Sequence, residues 1–418
     1  MATVLPFTGI RPQPELAEKV AAPPYDVLSS EEARILAQDN PVSFLHITKP
    51  EIDLPLGVDV YSDEVYSRAG FNMTQFIEKG IFCKDLEPSF YLYRQSMTLA
   101  NDEVHTQTGI FGLVSADDYE NNIIRKHELT RTQKENDRVR HMQAVQAQTG
   151  PVFLTYRAEQ ELAALMEGQS AGEPVVDFVS DGVAHQLWQV SDKQVVDEIS
   201  TRFAAVPTLF VADGHHRSAA AVRYREKCRA KYSHHTGNES HNYFMAVLFP
   251  HDQLNILGYH RVVRDLGDYD AQGFLDAVAG AYTIEPLKTA AIPGRANQFG
   301  LYLDGLWYQL NLKQEEVSKL DVTLLHDTIL EPILGIKDER SDSRLDFVGG
   351  IRAKDSLEKA VDSGNFAAAI ACYPVSIEQL MSVAEQDKLM PPKSTWFEPK
   401  LKSGLVFHHL GELQEYVT

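Results

Sequence analysis

Val206-Pro-Thr-Leu-Phe-Val-Ala-Asp-Gly-His-His-Arg-Ser-Ala-Ala-Ala221 is the stretch on which the reading of the whole chain turns. Thr208 to Ala212 is a short apolar run with β-branched and aromatic residues, the pattern of a buried strand. Asp213-Gly214 ends it, because glycine takes backbone angles that other residues avoid. From Ser218 the alanines favour helix, which continues through Val222, Tyr224 and Lys227. The stretch therefore predicts strand, tight turn and helix, with His215, His216 and Arg217 in the first helical turn. A helix start offers unpaired N–H groups and the positive end of a dipole, a seat for phosphate. Arg217 adds a bidentate donor fork, and the two histidines add further donors. Two other readings of the same residues stay open. One is a satisfied loop cluster. The other is a metal site using Asp213 with one histidine, since the adjacent His215 and His216 point in different directions.

Composition limits the function classes. A chain of 418 residues predicts two or three domains. Its formal charge of −20 opposes a general role on nucleic acid or an anionic membrane. The basic segment Arg217 to Lys231 reads as a solvated helix face. No apolar run approaches ~20 residues, so no transmembrane helix is expected. Met1 to Phe7 lacks the charged and apolar regions of a signal peptide. Cys83, Cys228 and Cys372 are scattered without metal or redox spacing. A cytoplasmic protein is the expectation.

Outward from the central stretch, residues 1–104 read as an N-terminal α/β extension. Ser29 or Ser30 can cap a helix with Glu31 and Glu32 against its dipole. Pro41 to Ile47 reads as a strand, Asp63 to Lys79 as a helix, and Glu87 to Leu99 with His105 to Val114 as a hairpin. Residues 105–265 read as a catalytic domain. There Lys126-His127-Glu128 lies at a strand end before a helix from about Thr132 to Gln148. Lys134, Arg138 and His141 share a face of that helix and can reach phosphates unless Glu135 and Asp137 neutralise them. Thr149 to Tyr156 is a strand, Val175 to Val190 a strand pair around Ser180 to Gly182, and Asn242 to Pro250 a strand with Leu254 to Val263 beside it. His234, His235 and His241 sit in a polar loop whose use as a metal site stays open. Residues 266–418 read as a second α/β section, including Gly349-Gly350, His260-Arg261 as possible pocket residues just before it, and Pro391-Pro392-Lys393-Ser394-Thr395-Trp396-Phe397 near its end.

Asp213-Gly214-His215-His216-Arg217 followed by small residues resembles the phosphate-binding turn of the ParB/sulfiredoxin-like superfamily. Within that superfamily the chain is similar to free serine kinase-like members, which phosphorylate the hydroxyl of L-serine from a nucleoside di- or triphosphate. The resemblance rests on three motifs in order and spans about Ile123 to Phe407. It implies a mixed α/β fold with a ParB/sulfiredoxin-like catalytic domain, an N-terminal extension and a C-terminal α/β domain closing the substrate site. His127-Glu128 holds the place of the family's His-Glu pair, which makes Glu128 the implied catalytic residue. A serine hydroxyl is a poor nucleophile, and a carboxylate can take its proton during phosphate transfer. The implied phosphate and nucleotide contacts are Gly214, His215, His216, Arg217 and Ser218. Asp213 would orient the hydroxyl or hold Mg2+, and His127, Lys393, Ser394 and Thr395 would meet the substrate. The chain departs from the family at Trp396 and Phe397, where basic and histidine residues are usual. An aromatic wall suits a bulkier or less polar acceptor.

The function these readings point to is a small-molecule kinase acting on free L-serine or a related hydroxy-amino acid, with ATP or ADP as donor and Mg2+. Its partners would be a nucleotide and a small hydroxylated metabolite, with no nucleic acid and no membrane. The alternatives are a nucleotide-binding switch protein without turnover and, in a third class, a metal-dependent hydrolase built on the histidines. No Walker A loop, kinase glycine-rich loop or serine nucleophile elbow is present in the sequence.

Overall fold

The structure is a computed structural model, and it describes residues 1–99, 102–231, 235–316, 318–351 and 353–411. His234 lies outside the described residues. The architecture is mixed α/β and divides into two compact units. One joins Met1–Leu254 to the segment from Pro399 onward, and the other is Asn255–Glu398. No helix among the described residues is long and apolar enough to cross a membrane.

The first unit is built on a nine-stranded mixed sheet. From one edge its strands run Ile124–Arg125, Leu209–Asp213, Val152–Tyr156, Tyr243–Pro250, Val104–Ser115, Phe90–Thr98, Val183–Val190 and Val176–Ser180, with Val4–Leu5 paired to Val104–Ser115. The Val104–Ser115 strand pairs with Phe90–Thr98 on one side (Tyr91↔Phe111) and with Tyr243–Pro250 on the other (Val247↔Phe111). Residues 1–104 therefore share a sheet with the section expected to be a separate catalytic domain. A strand that bonds on both sides ties its neighbours into one core. Leu92, Ile110, Leu154, Val211 and Leu248 lie within that core, all fully buried.

Several expected elements stand where the sequence placed them. Ser29 caps a helix through a capping box with Glu32. The Ser180–Gly182 turn has Asp181 and Gly182 at positive φ, as a tight hairpin demands. Pro41 to Ile47 is not a strand. It forms a turn and the short helix Leu45–Thr48. Phe44 is fully buried and packs its ring on Phe82 and Phe407. A short apolar run reads equally well as a buried helix segment, and here no sheet edge receives it. The expected 132–148 helix ends earlier, at Val145, because Gln146 turns left-handed (φ 51) and Ala147–Gln148 leaves to pair with His408–His409.

The second unit holds a six-stranded antiparallel sheet. Its order is Tyr282–Leu287, Leu306–Leu312, Gln298–Leu303, Ala368–Cys372, His260–Val263 and Leu345–Val348. Leu254 to Val263 is not one strand beside Tyr243–Pro250. Ile256–Leu257 pairs with Trp396–Phe397, and His260–Val263 pairs with Leu345–Val348 and Ala368–Cys372. Between them Gly258 runs so close to the chain that a Cβ would stand 2.4 Å from the Cys372 carbonyl. One face of this sheet buries Phe274, Leu301, Leu310 and Ile370. The other lies under the Ala353–Asp362 helix through Leu357. Ser376 caps Ile377–Glu385 in a second capping box, with Gln379.

Candidate functional site

Parallel pairing explains how the first two motifs meet. Ile124–Arg125 and Leu209–Phe210 run side by side in the same direction. Residues that follow one strand therefore emerge at the same sheet edge as residues that follow the other. His127-Glu128 leaves the first strand, and Asp213-Gly214-His215 leaves the second. The His127 ring meets the His215 ring edge-on, with centroids 4.5 Å apart. One step further, the Arg131 backbone N–H donates to His216 Nε2 at 3.1 Å. Glu128, half-buried, sits between these two points of contact in the chain.

The turn itself follows the sequence closely. Leu209–Asp213 pairs antiparallel with Val152–Tyr156 through an irregular register at Val211 to Asp213. Gly214 then adopts φ 93, and its missing side chain lets the turn lie 3.4 Å from the Val152 backbone at the Cβ position. The His215–Lys231 helix begins at once. Its Arg217 and Ser218 backbone N–H groups donate to the Gly214 carbonyl, and so does the Ser218 hydroxyl. Ser218 is fully buried and its hydroxyl serves the turn. Gly214 N–H donates to Asp213 Oδ1 at 2.7 Å. Asp213 Oδ2 accepts from Lys400 Nζ at 2.8 Å.

Both touching histidines are held neutral. Burial pushes the His127 ring down to about 4, with Asp213 pulling the other way. Burial and then His127 itself push His215 well below the ordinary histidine value. His127 is bonded to the Val211 backbone, while its Nδ1 and the Nε2 of His215 are buried without a hydrogen-bond partner.

Arg217 reaches away from the histidines. Its Nη1 donates to the Pro151 carbonyl at 3.1 Å, and its guanidinium lies 5.3 Å from the Tyr25 ring centre. The Arg138 guanidinium stands 3.7 Å from the same ring and pairs with Asp137 at 2.7 Å. Tyr25 is buried, and its phenol is pushed up to about 12. Gly150 makes this packing possible, since a Cβ there would meet Arg217 Nη1 at 1.9 Å. Arg217, Arg138, Tyr25, His141, Gln148 and Thr149 line a partly open cleft of about 480 Å³. Of the three helix residues expected to reach phosphates, His141 donates through Nε2 to the Ile47 carbonyl at 2.8 Å and is buried. Lys134 lies over the Tyr61 ring, 5.8 Å from its centre. Only Arg138 faces the cleft as a cation.

Lys393, Ser394 and Thr395 belong to the second unit. Arg261, completely buried, pairs with Glu339 at 3.0 Å and donates to the carbonyls of Tyr259, Pro392 and Lys393. It is thus the post that holds the Pro391–Lys393 turn, with Lys393 at φ 56. Ser394 Oγ donates to the Pro391 carbonyl at 2.6 Å. Lys393 Nζ lies 5.5 Å from the Tyr259 ring centre, and Thr395 is half-buried. Gly349 and Gly350, a possible phosphate loop in the sequence, make room for Trp396. A Cβ on Gly349 would stand 2.2 Å from its indole.

Lys400 is the residue that sequence reasoning missed. It stands two residues before Lys402, and each reaches an aspartate of the first unit. Lys402 Nζ pairs with Asp181 at 2.8 Å. The alternating lysines were a usable signal, but their partners lie 187 and 221 residues away in sequence. Among the described residues, the cluster of three close metal-ligating side chains is His235, Glu239 and His241, away from the Asp213 turn.

Solved structures give only distant likenesses. A conserved hypothetical protein from Pyrococcus furiosus is 12% identical, with 71% of this chain and 95% of that one covered at a TM-score of 0.36. A mutant free serine kinase in complex with AMP is 11% identical, with 69% and 86% covered and a TM-score of 0.35. C-terminally truncated SbnI from Staphylococcus aureus is 11% identical, with 70% and 84% covered and a TM-score of 0.29. Likenesses at these scores carry no argument about chemistry. No curated protein matches the chain. The family described as "Protein of unknown function (DUF1015)" matches residues 4–323, and the chain belongs to that family.

Proposed function

We propose that the chain is a small-molecule kinase that moves a phosphoryl group from ATP or ADP to the hydroxyl of free L-serine or a related hydroxy-amino acid. One observation carries the reading: parallel pairing of Ile124–Arg125 with Leu209–Phe210 sets His127-Glu128 against the Asp213–Arg217 turn, with the His127 and His215 rings in contact. The three-motif resemblance to the ParB/sulfiredoxin-like superfamily, and to its free serine kinases, supports it from the sequence.

In this reading nucleotide phosphates lie at the start of the His215–Lys231 helix, where backbone N–H groups and the dipole favour an anion. His216 and Arg217 supply side-chain donors, and neutral His127 and His215 supply a dry wall that places no competing cation beside the phosphate. Glu128 accepts the proton of the acceptor hydroxyl. The hydroxyl oxygen forms a bond to the terminal phosphorus as the bond from that phosphorus to the leaving nucleotide oxygen breaks. Asp213 orients the hydroxyl, and Lys400 fixes Asp213. A Mg2+ ion arriving with the nucleotide would neutralise phosphate charge. Asp213 is the carboxylate at the turn able to share it, in exchange for Lys400.

The test is incubation with ATP or ADP, Mg2+ and a panel of hydroxy-amino acids, followed by mass detection of product. L-Serine or a close relative gains a phosphate, and Glu128→Gln loses about 10²–10⁴-fold in turnover while still binding nucleotide. Nucleotide binding with no product from any acceptor, and a Glu128→Gln variant indistinguishable from the parent, would replace the kinase with a nucleotide-responsive switch.

A further inference from the structure

We propose that His235, Glu239 and His241 form a binding site for a divalent transition-metal ion of the zinc class, independent of the nucleotide site. One ligand atom from each residue lies within 4.8 Å of the other two. Two imidazoles and a carboxylate are a donor set that suits zinc, and three protein ligands leave a position for water. Zinc bonds of about 2.0–2.2 Å require the donors to draw somewhat closer. Exposed His235 is free to make that movement.

Each ligand is prepared for the role. His235 Nε2 faces the Arg229 carbonyl at 3.0 Å, and a carbonyl only accepts. Nε2 therefore carries the proton and Nδ1 keeps its lone pair, the arrangement by which a second partner orients a metal-bound imidazole. His241 is 9% exposed, and its Nε2 is buried without a hydrogen-bond partner. A buried polar atom left unpaired is costly, and a metal ion would relieve that cost. Glu239 accepts from the Thr236 and Gly237 backbone N–H groups, the Thr236 hydroxyl and Asn242 Nδ2. Those donors fix its carboxylate and keep it ionised. The nearest cations are already countered, since Arg225 pairs with Asp117 and Glu120, and Arg229 stands 3.8 Å from Asp117.

The place in the fold separates this site from the phosphoryl-transfer chemistry. His235 follows the C-terminal end of the His215–Lys231 helix, whereas the Asp213–Arg217 turn opens its N-terminal end. Seventeen helical residues at 1.5 Å each put the two ends roughly 25 Å apart. The ion would tie His235 to the short Ser240–Asn242 turn ahead of the Tyr243–Pro250 strand.

The purified full chain, stripped with chelator, is titrated with Zn2+ by calorimetry and with Co2+ by visible absorption. The expected result is one equivalent of Zn2+ bound with a low-micromolar or tighter Kd, and a Co2+ spectrum of four-coordinate type. His235→Ala and His241→Ala should each weaken binding at least tenfold. Because His235 is exposed, its variant keeps the fold, which circular dichroism verifies, so a misfolded His241 variant leaves the outcome readable. Absence of saturable one-equivalent binding, or unchanged binding in His235→Ala, overturns the site and leaves an adventitious surface ion only. Kinase activity is not a readout of this experiment.

Discussion

Arg217 and Arg261 show how differently the two units use a guanidinium. Arg261 is completely buried, and its donors go to Glu339 and to three backbone carbonyls. Arg217 is half-buried and spends one donor, on Pro151, while its flat face meets Tyr25. A guanidinium carries five N–H donors. The first arginine has nothing left to offer a ligand, and the second has most of its capacity facing a cleft. Charge type alone does not mark a binding residue. What marks it is the count of donors the fold has left unspent.

The difference can be broken most severely from the structural side. Arg261→Ala takes the guanidinium from buried Glu339 and leaves it His326 at 3.2 Å, and breaking a buried pair in this way costs about 3–5 kcal/mol. Denaturant titration should show that loss, and hydrogen exchange should locate it in residues 255–398. Arg217→Ala should do the reverse, lowering phosphoryl transfer by about 10²–10³-fold, the scale of one lost charge-stabilising donor, with little change in stability. Arg217→Lys should not restore it, because an ammonium lacks the planar fork. If instead Arg217→Ala melts the first unit and leaves turnover intact, the contrast between the two arginines is wrong.

Acid should separate the two units as well. In the first unit His127, His141 and His408 are pushed to about 4 by burial, and His185 to about 3. An unfolded histidine takes up its proton near 6.5, before these folded ones do. Stability therefore falls as pH drops from about 6.5 toward 4. The second unit has His260 at about 4, with the same sign. Burial also raises its Asp321 to about 6, and a folded carboxyl that holds its proton more tightly than the unfolded one gains stability on acidification. Hydrogen exchange followed from pH 7 to pH 5 should open residues of the first unit before those of the second. Equal opening in both would show that the buried histidines do not set the acid response. The smallest effect is expected from Lys400→Gln. Its partly exposed pair with Asp213 is worth about 0–1 kcal/mol to stability, so a thermal melt should barely move while turnover falls.

Local signals were legible in the sequence and long-range pairings were not. The Asp213-Gly214 turn, the Ser29 and Ser376 caps and the Ser180–Gly182 hairpin each depend on residues within a few positions of one another. So does the His127-Glu128 strand end. Its meeting with the turn depended on a parallel pairing that no pattern in 206–221 specifies. Pro41 to Ile47 was misread because an apolar run of that length has no period to distinguish it, and the aromatic contacts that decide its shape come from Phe82 and Phe407. The boundary at Leu254 was missed because Ile256 and Val262 look alike in sequence, while Gly258 parts them into different sheets. Lys400 was missed for a related reason, since its meaning rests on Asp213, far away in the chain.

The stretch from Pro399 to Leu410 sets a timetable for synthesis. It supplies Lys400 to the Asp213 turn, Phe407 to the Phe44–Phe82 cluster, and His408–His409 to the short pairing with Ala147–Gln148. All of these are absent while the ribosome is still making residues 255–398. A nascent chain can complete the inserted unit first, but the Asp213 turn waits for its lysine until residue 400 has been added, so a product stalled before that point would carry a folded insert and a turn still lacking that ion pair.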